Sequence, residues 1–506
     1  MWHGRVSREL RGWHRVRRFT VPRWMIEEAT RRRLAGDWRG ACDAAGVDVA
    51  LDLARIRRDH GAAVAAAVED DVRHLAPDLL RWHLIGAAPA TALRPVDVRL
   101  AGYGPMALRI RPRHPGTPSR RLELVFTERA GGAPQDVSPD RSHDQSQGLS
   151  QDLLQDLSQD RERWDSRHAG ALLDRCGGYD GHLPFFTATG DRLPEAAWTD
   201  RERVIAAQDA GDWVRAWNVA GFDVRALQAL VERGHWIERH LRESRPDLAQ
   251  VRAAVGEIRT GRRDRVRVGL SGGNVLGFTA QLSVDADLRV SYPSAPVPQP
   301  DLPVVRAERV VDFDLVRLGL LPMEQLHPLV GDALFPGLAG LFEGPPDPVP
   351  DLAPVRVRCQ GVWHVLGDGH HTGEEMRREL ALRALGGAPL RGCFAARAGW
   401  RAPDAWTPKV LRLRRRDIVL HAVNGDAPAI AAWLDAGLDP HLRDHLGRTL
   451  LHLIAWLPDP EPVVTRLRHA GLDPRARDRA GRTPTQHAVA EGGTPQAIRA
   501  LRELAS

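Results

Sequence analysis

Residues 436–449 read Ala436-Gly437-Leu438-Asp439-Pro440-His441-Leu442-Arg443-Asp444-His445-Leu446-Gly447-Arg448-Thr449. Residues 470–483 read Ala470-Gly471-Leu472-Asp473-Pro474-Arg475-Ala476-Arg477-Asp478-Arg479-Ala480-Gly481-Arg482-Thr483. Every shared position is displaced by one constant offset, from Ala436 to Ala470 at the start and from Thr449 to Thr483 at the end. Self-similarity at a fixed period of roughly 20–50 residues is the mark of stacked helical units, each of which buries its apolar face only against a neighbour. An earlier unit runs from Leu420-His421 through Gly425-Asp426 to Ala436-Gly437. Within a unit, Asp-x-x-Gly-x-Thr predicts a tight finger turn, and Thr449 or Thr483 caps the helix that follows. His452 is placed to bridge turns through its ring nitrogens, and Ile430, Trp433 and Leu434 to pack the second helix on its neighbour.

With Thr449-Leu450-Leu451-His452 and Thr483-Pro484-Thr485-Gln486-His487-Ala488 after the two fingers, this tail resembles the ankyrin repeat, whose period is about 33 residues and whose signature is Thr-Pro-Leu-His-x-Ala. The resemblance covers about two and a half to three repeats over 416–505, within a domain assigned to 416–506. Gln486 stands where the family has His, Ile454 where it has Ala, and Leu457–Pro462 forms a Pro-rich loop between helices. The resemblance implies an all-α stack that meets a protein partner through finger tips and inner helices. The candidate contacts are Arg443, His445, Arg448, Arg477, Arg479 and Arg482, and an Arg-rich ridge implies a partner with an acidic patch.

Ahead of the tail lies a second repetition. Ala35-Gly36-Asp37-Trp38, then Ala41, Ala45, Gly46, Asp48 and Val49, recurs as Ala210-Gly211-Asp212-Trp213, Ala216, Ala220, Gly221, Asp223 and Val224, with one offset throughout. Val98-Arg99-Leu100 matches Val266-Arg267-Val268, and Leu122 with Leu124 matches Leu288 with Val290. Gly177-Gly178 with Phe185 matches Gly386-Gly387 with Phe394, and Ala197-Trp198-Thr199 matches Ala405-Trp406-Thr407, in the same order. We read two diverged copies of one module, 26–200 and 201–410. Gly36 and Gly211 suit the left-handed end of one helix, and Asp37 and Asp212 the N-cap of the next, so each copy opens with a helical hairpin. The same Gly-Asp pattern at Gly425-Asp426 suggests that these hairpins are lone ankyrin-like units. Alternation in Leu122–Phe126, Phe278–Val284 and Leu288–Tyr292 predicts an antiparallel meander with one wet face. The fold class expected is therefore α+β, two copies of a helical-hairpin plus antiparallel-sheet module followed by an all-α stack. Residues 130–160, with Leu149-Ser150-Gln151-Asp152 returning as Leu157-Ser158-Gln159-Asp160, are expected to be a disordered insert. The dense prolines of 293–303 and 344–354 predict stiff connectors.

Composition narrows the function. The chain has 506 residues, 43% of them hydrophobic and 27% charged, which excludes a fibrous or wholly disordered protein. No run approaches the ~18 apolar residues of a membrane span and no secretory h-region is present, so the compartment expected is the cytoplasm, with no membrane partner. Four cysteines, none in a CxxC pair, argue against a disulfide framework. The net charge is +6, and residues 1–24 carry all of it: seven arginines against Glu9. We expect these residues to be a basic arm, disordered or not native, with Met25 as the start of translation. Nucleic-acid binding through that arm is the weaker alternative. Only Lys409 is a lysine, a bias of high-GC bacterial genomes rather than of phosphate recognition.

Three clusters are weighed for chemistry. Cys359, Trp363-His364, His370-His371 and Glu374-Glu375 contain transition-metal ligands, and a zinc protein or enzyme using this His/Cys cluster is the alternative function; we read the cluster as a polar loop, because its spacing matches no closed site. Gly269-Leu270-Ser271-Gly272-Gly273 has the letters of a nucleophile elbow, but strand-like alternation follows it, so a hairpin turn is expected. Arg412, Arg414, Arg415 and Arg416 directly precede the first tail helix and read as a solvated face or N-terminal repeat cap rather than a nucleic-acid contact. Without a catalytic constellation, metal or cofactor assigned, the function expected is a non-enzymatic interaction or scaffold protein.

Overall fold

A computed structural model of the chain describes residues 8–84, 97–112, 121–128, 155–259, 265–271, 279–292, 304–305, 309–359, 361–367, 371–387, 389–402 and 406–506. These residues form a mixed α and β structure with small, mainly antiparallel sheets. The chain divides into two compact units built from interleaved segments. One comprises Met1–Arg17, His83–Pro89 and Arg161–Pro345, the other Arg18–Trp82, Ala90–Asp160 and Pro346–Ser506. The division between Pro345 and Pro346 falls within the Pro-rich segment 344–354. Among the described residues no helix is long and apolar enough to cross a membrane.

Helical hairpins recur with one geometry. The helix Arg23–Leu34 ends where Gly36 turns left-handed (φ 78°), and the Asp37 amide donates back to the Arg32 carbonyl at 2.9 Å. The Asp37 carboxylate then accepts from the Gly40 amide at 2.8 Å and starts the helix Trp38–Ala44. Asp200–Asp209 passes to Trp213–Val219 in the same way, with Gly211 at φ 75° and Asp212 capping Arg215 at 3.1 Å. So does Lys409–Val423 to Ala427–Asp435, with Gly425 at φ 80° and Asp426 capping Ala429 at 3.2 Å. A side chain at the glycine would strain the left-handed turn, and the following aspartate satisfies a helix amide that otherwise lacks a partner.

The first sheet combines β1 (Val47–Val49), β2 (Val98–Tyr103), β3 (Met106–Pro112), β4 (Leu122–Glu128) and β5 (Gln155–Asp156) in the order β1-β4-β3-β2-β5. β2, β3 and β4 form an antiparallel meander, of which the alternation in Leu122–Phe126 marks β4, while β1 beside β4 and β5 beside β2 are parallel. The second sheet combines β6 (Arg265–Ser271), β7 (Thr279–Asp285), β8 (Val290–Ser291) and β9 (Val304–Val305) in the order β8-β7-β6-β9. Its meander is again antiparallel and β9 again returns parallel, beside β6. A parallel bridge between Asp223 and Arg289 occupies the place that β1 takes in the first sheet, where Asp48 faces Glu123. Trp213, Trp217, Leu227, Leu241, Val251, Val268, Leu282 and Val284 pack the helices against this second sheet.

Two segments differ from expectation. Of the stretch 130–160, residues 130–154 lie outside the described residues, but 155–160 are ordered: the Leu157 amide donates to the Arg99 carbonyl at 2.8 Å and its side chain is buried. Backbone pairing on the edge of β2 accounts for that order. The basic arm is also structured from residue 8 on. Arg8–Phe19 is a strongly amphipathic helix, and Arg17 is buried in a two-pronged contact with Asp312, Nε to Oδ1 at 2.6 Å and Nη2 to Oδ2 at 2.8 Å. Such a fork gives a buried guanidinium the hydrogen bonds that it loses on leaving water.

Candidate partner-binding face

Each finger of the tail is built around its aspartate. The Asp444 carboxylate accepts from the Leu446 and Arg448 amides at 2.9 Å, and Gly447 turns left-handed at φ 74°. Asp478 accepts from the Arg482 amide at 2.9 Å, with Gly481 at φ 76°. Thr449 then begins the helix Leu450–Leu453. His452 Nδ1 accepts from the Thr449 amide at 3.2 Å, and its Nε2 faces the Arg482 carbonyl at 3.0 Å. An amide can only donate and a carbonyl can only accept, so the Nε2–H tautomer of a neutral ring fits both contacts. Burial holds the ring's proton affinity below that of a free histidine. In the next unit Gln486 replaces the histidine and keeps the capping box, its Oε1 accepting from the Thr483 amide at 3.0 Å. His487 lies under these turns at 1% exposure, edge-on to His452 and Trp456. Burial, then the charges of Arg448, Arg482 and His452, depress its pKa to about 3.

The six candidate contacts do not share one environment. His445, Arg477 and Arg479 are exposed. Arg443 is half-buried, its Nη1 donating to the Gly447 carbonyl at 2.6 Å and across to the next finger's Arg477 carbonyl at 2.9 Å, so it clamps adjacent fingers. Arg482 is engaged by Asp478 and by Glu491 at 2.8 Å. Arg448 is no surface contact: it is 6% exposed and its Nε donates to Asp444 at 2.7 Å. An arginine on the far side of the turn from its aspartate folds back over the carboxylate it must neutralise.

Two contacts absent from that set emerge with the fold. An open cleft of about 440 Å³ between the fingers is lined by His441, Arg443, Arg475, Arg477 and Asp473, with Thr449, Leu472 and Ala476. His441 and Arg475 occupy the same position of successive units, each next to the Asp-Pro pair, and a basic side chain repeated there is the sequence signal for them. Three arginines and a histidine thus line the cleft against one carboxylate.

The other clusters resolve differently. Cys359, His371 and Cys393 converge, their ligand atoms all within 4.8 Å of one another. His364 stacks on His371 with ring centroids 5.2 Å apart, whereas His370 lies outside the described residues. Cys393 lies beyond a whole helix from Cys359, and no spacing signal joins it to the set. Ser271 pairs with Thr279 across antiparallel strands, which is a hairpin and not a strand-to-helix elbow; Gly272 and Gly273 lie outside the described residues. Arg414 and Arg415 lie within the helix Lys409–Val423, not ahead of it, and donate to the carbonyls of Ala353 and Gly399 at 3.1 and 2.8 Å. Compared with models of known protein families and with curated proteins, the chain matches none.

Proposed function

We propose that the chain is a cytoplasmic binding protein whose ankyrin-like tail takes an acidic segment of a protein partner into the cleft between its fingers. The observation that carries this is the cleft's lining, His441, Arg443, Arg475 and Arg477 against Asp473. An ankyrin-like stack is supported by contacts that repeat with the sequence period. Arg443 donates to Gly447 as Arg477 does to Gly481, and Asp444 holds Arg448 as Asp478 holds Arg482. A duplicated body is supported by the common strand order of the two sheets. It is also supported by a pair of arginines: Arg81 Nη1 donates to the Ala45 carbonyl at 3.3 Å and Arg252 Nη1 to the Ala220 carbonyl at 2.8 Å, each at the end of a short helix. The likeness stops at Phe185, which sits in a loop at φ 71°, whereas Phe394 lies in the helix Gly392–Arg401.

A fluorescent oligoglutamate peptide tests the proposal. The full chain should bind it, more weakly as salt rises, and an Arg475→Ala/Arg477→Ala/Arg479→Ala variant should lose at least tenfold in affinity. Binding left unchanged by the triple substitution removes the cleft from the account.

A further inference from the structure

The region after the Pro-rich segment holds a cluster that the partner-binding face does not use. β10 (Arg356–Cys359) and β11 (Val362–Val365) form a hairpin, followed by the helices Gly373–Ala384 and Gly392–Arg401. Cys359 ends β10 and Cys393 is the second residue of the latter helix; both are reduced thiols, at 4% and 3% exposure. His371 completes the set. Its Nε2 is buried without a hydrogen-bond partner, while its Nδ1 lies 3.7 Å from the Glu375 carboxylate. Glu375 is itself held by the Thr372 amide at 2.8 Å.

We propose that Cys359, Cys393 and His371 bind a zinc ion. Tetrahedral zinc, with Zn–S near 2.3 Å and Zn–N near 2.0 Å, sets its ligand atoms about 3.5–3.8 Å apart. The observed limit of 4.8 Å therefore needs a contraction of about 1.3 Å at most, within the reach of side-chain rotation. Two thiolates and an imidazole are the donor set of a borderline-soft ion, not of magnesium or calcium. The local fold brings backbone close to the sulfurs. Gly392 is in the left-handed region at φ 56°, and a Cβ there would stand 2.7 Å from Cys359 Sγ and 2.8 Å from its Cα. Only glycine lets the first turn of the ten-residue helix come this near Cys359. A carboxylate behind the ligating imidazole is the usual device for orienting it, and Glu375 occupies that place. A bare set of buried thiols would need neither the glycine nor an imidazole nitrogen aimed at the sulfurs. The ion would tie β10 to the two helices beside the tail's core, which includes Cys359, Cys393, Phe394 and Trp400.

The full chain, purified under reducing conditions without chelator, should carry about one zinc per molecule by mass-spectrometric metal analysis. After removal of the metal, titration with Co(II) should produce a thiolate-to-cobalt charge-transfer band that one equivalent of zinc abolishes. Cys393→Ser should weaken Co(II) binding at least tenfold, and so should the less buried His371→Ala. The wild-type titration stands as a readout even if a cysteine variant fails to fold. Absence of the band in the reduced wild-type chain overturns the proposal. So does a Cys359–Cys393 disulfide in the protein as isolated, or Co(II) affinity unchanged in both variants.

Discussion

Lowering the pH from 7 to 4 should destabilise the C-terminal helices, and His487 should be the largest single contributor. Its ring is held neutral beneath the finger turns, with a pKa of about 3 against 6.5 for a free side chain. An unfolded chain takes up a proton at this residue as the pH falls through 6.5, whereas the folded chain does so only near 3. The stability it contributes is thus complete above 6.5 and is lost progressively down to 3. Integrating the two titrations gives a loss of about 2 kcal/mol at pH 5 and about 3 kcal/mol at pH 4. His452, also held neutral by burial, adds in the same direction. Asp478, its Oδ2 3.6 Å from His487 Nδ1, is the acid facing the ring, and Arg448 and Arg482 oppose its protonation. Urea denaturation followed by tryptophan fluorescence, with Trp433 and Trp456 in the stack, reads the effect. His487→Phe keeps a flat ring against Trp456 and removes the proton site, so its urea midpoint should fall less between pH 7 and 4 than that of the wild type. Parallel midpoints for the two proteins would refute the argument.

Arg448→Ala should cost about 3–5 kcal/mol by chemical denaturation, because Asp444 is left buried without its counter-charge, while Arg477→Ala stays within about 0.5 kcal/mol. In the other unit, Arg17→Met should cost a similar amount, about 3–5 kcal/mol, and adding Asp312→Leu should restore most of it, the coupling expected when one partner of a buried pair is orphaned. Gly221→Ala forces an L side chain to φ 84° against the Arg252 guanidinium and should lower the stability of its unit by about 1–2 kcal/mol; Gly46→Ala, at φ 68° beside Arg81, should do the same.

What is legible in the sequence is local. Gly36-Asp37, Gly211-Asp212 and Gly425-Asp426 announce their turns because a left-handed glycine and a capping carboxylate act over a single helical turn. Thr449 and His452 are legible for the same reason, as the two ends of one capping box. Long-range pairing is not. Arg17 and Asp312 are 295 residues apart, and nothing near either one says that a guanidinium in a basic helix will be buried by a carboxylate beyond the second sheet. Charge is all that the arm's own sequence offers, and charge alone points to solvent. Arg448 is an intermediate case. The motif places it in the finger, but the Asp444 carboxylate across the turn, visible in the same motif, decides that it folds inward. Charge along a ridge names the residues; only the packing tells which of them solvent reaches.

The return strands have a practical use. β5 follows β4 and β9 follows β8 in the chain, yet each adds parallel to the first strand of its meander, β2 or β6. A fragment cut before either return strand would leave the edge of β2 or β6 unpaired, so truncations made for expression should keep 155–156 and 304–305.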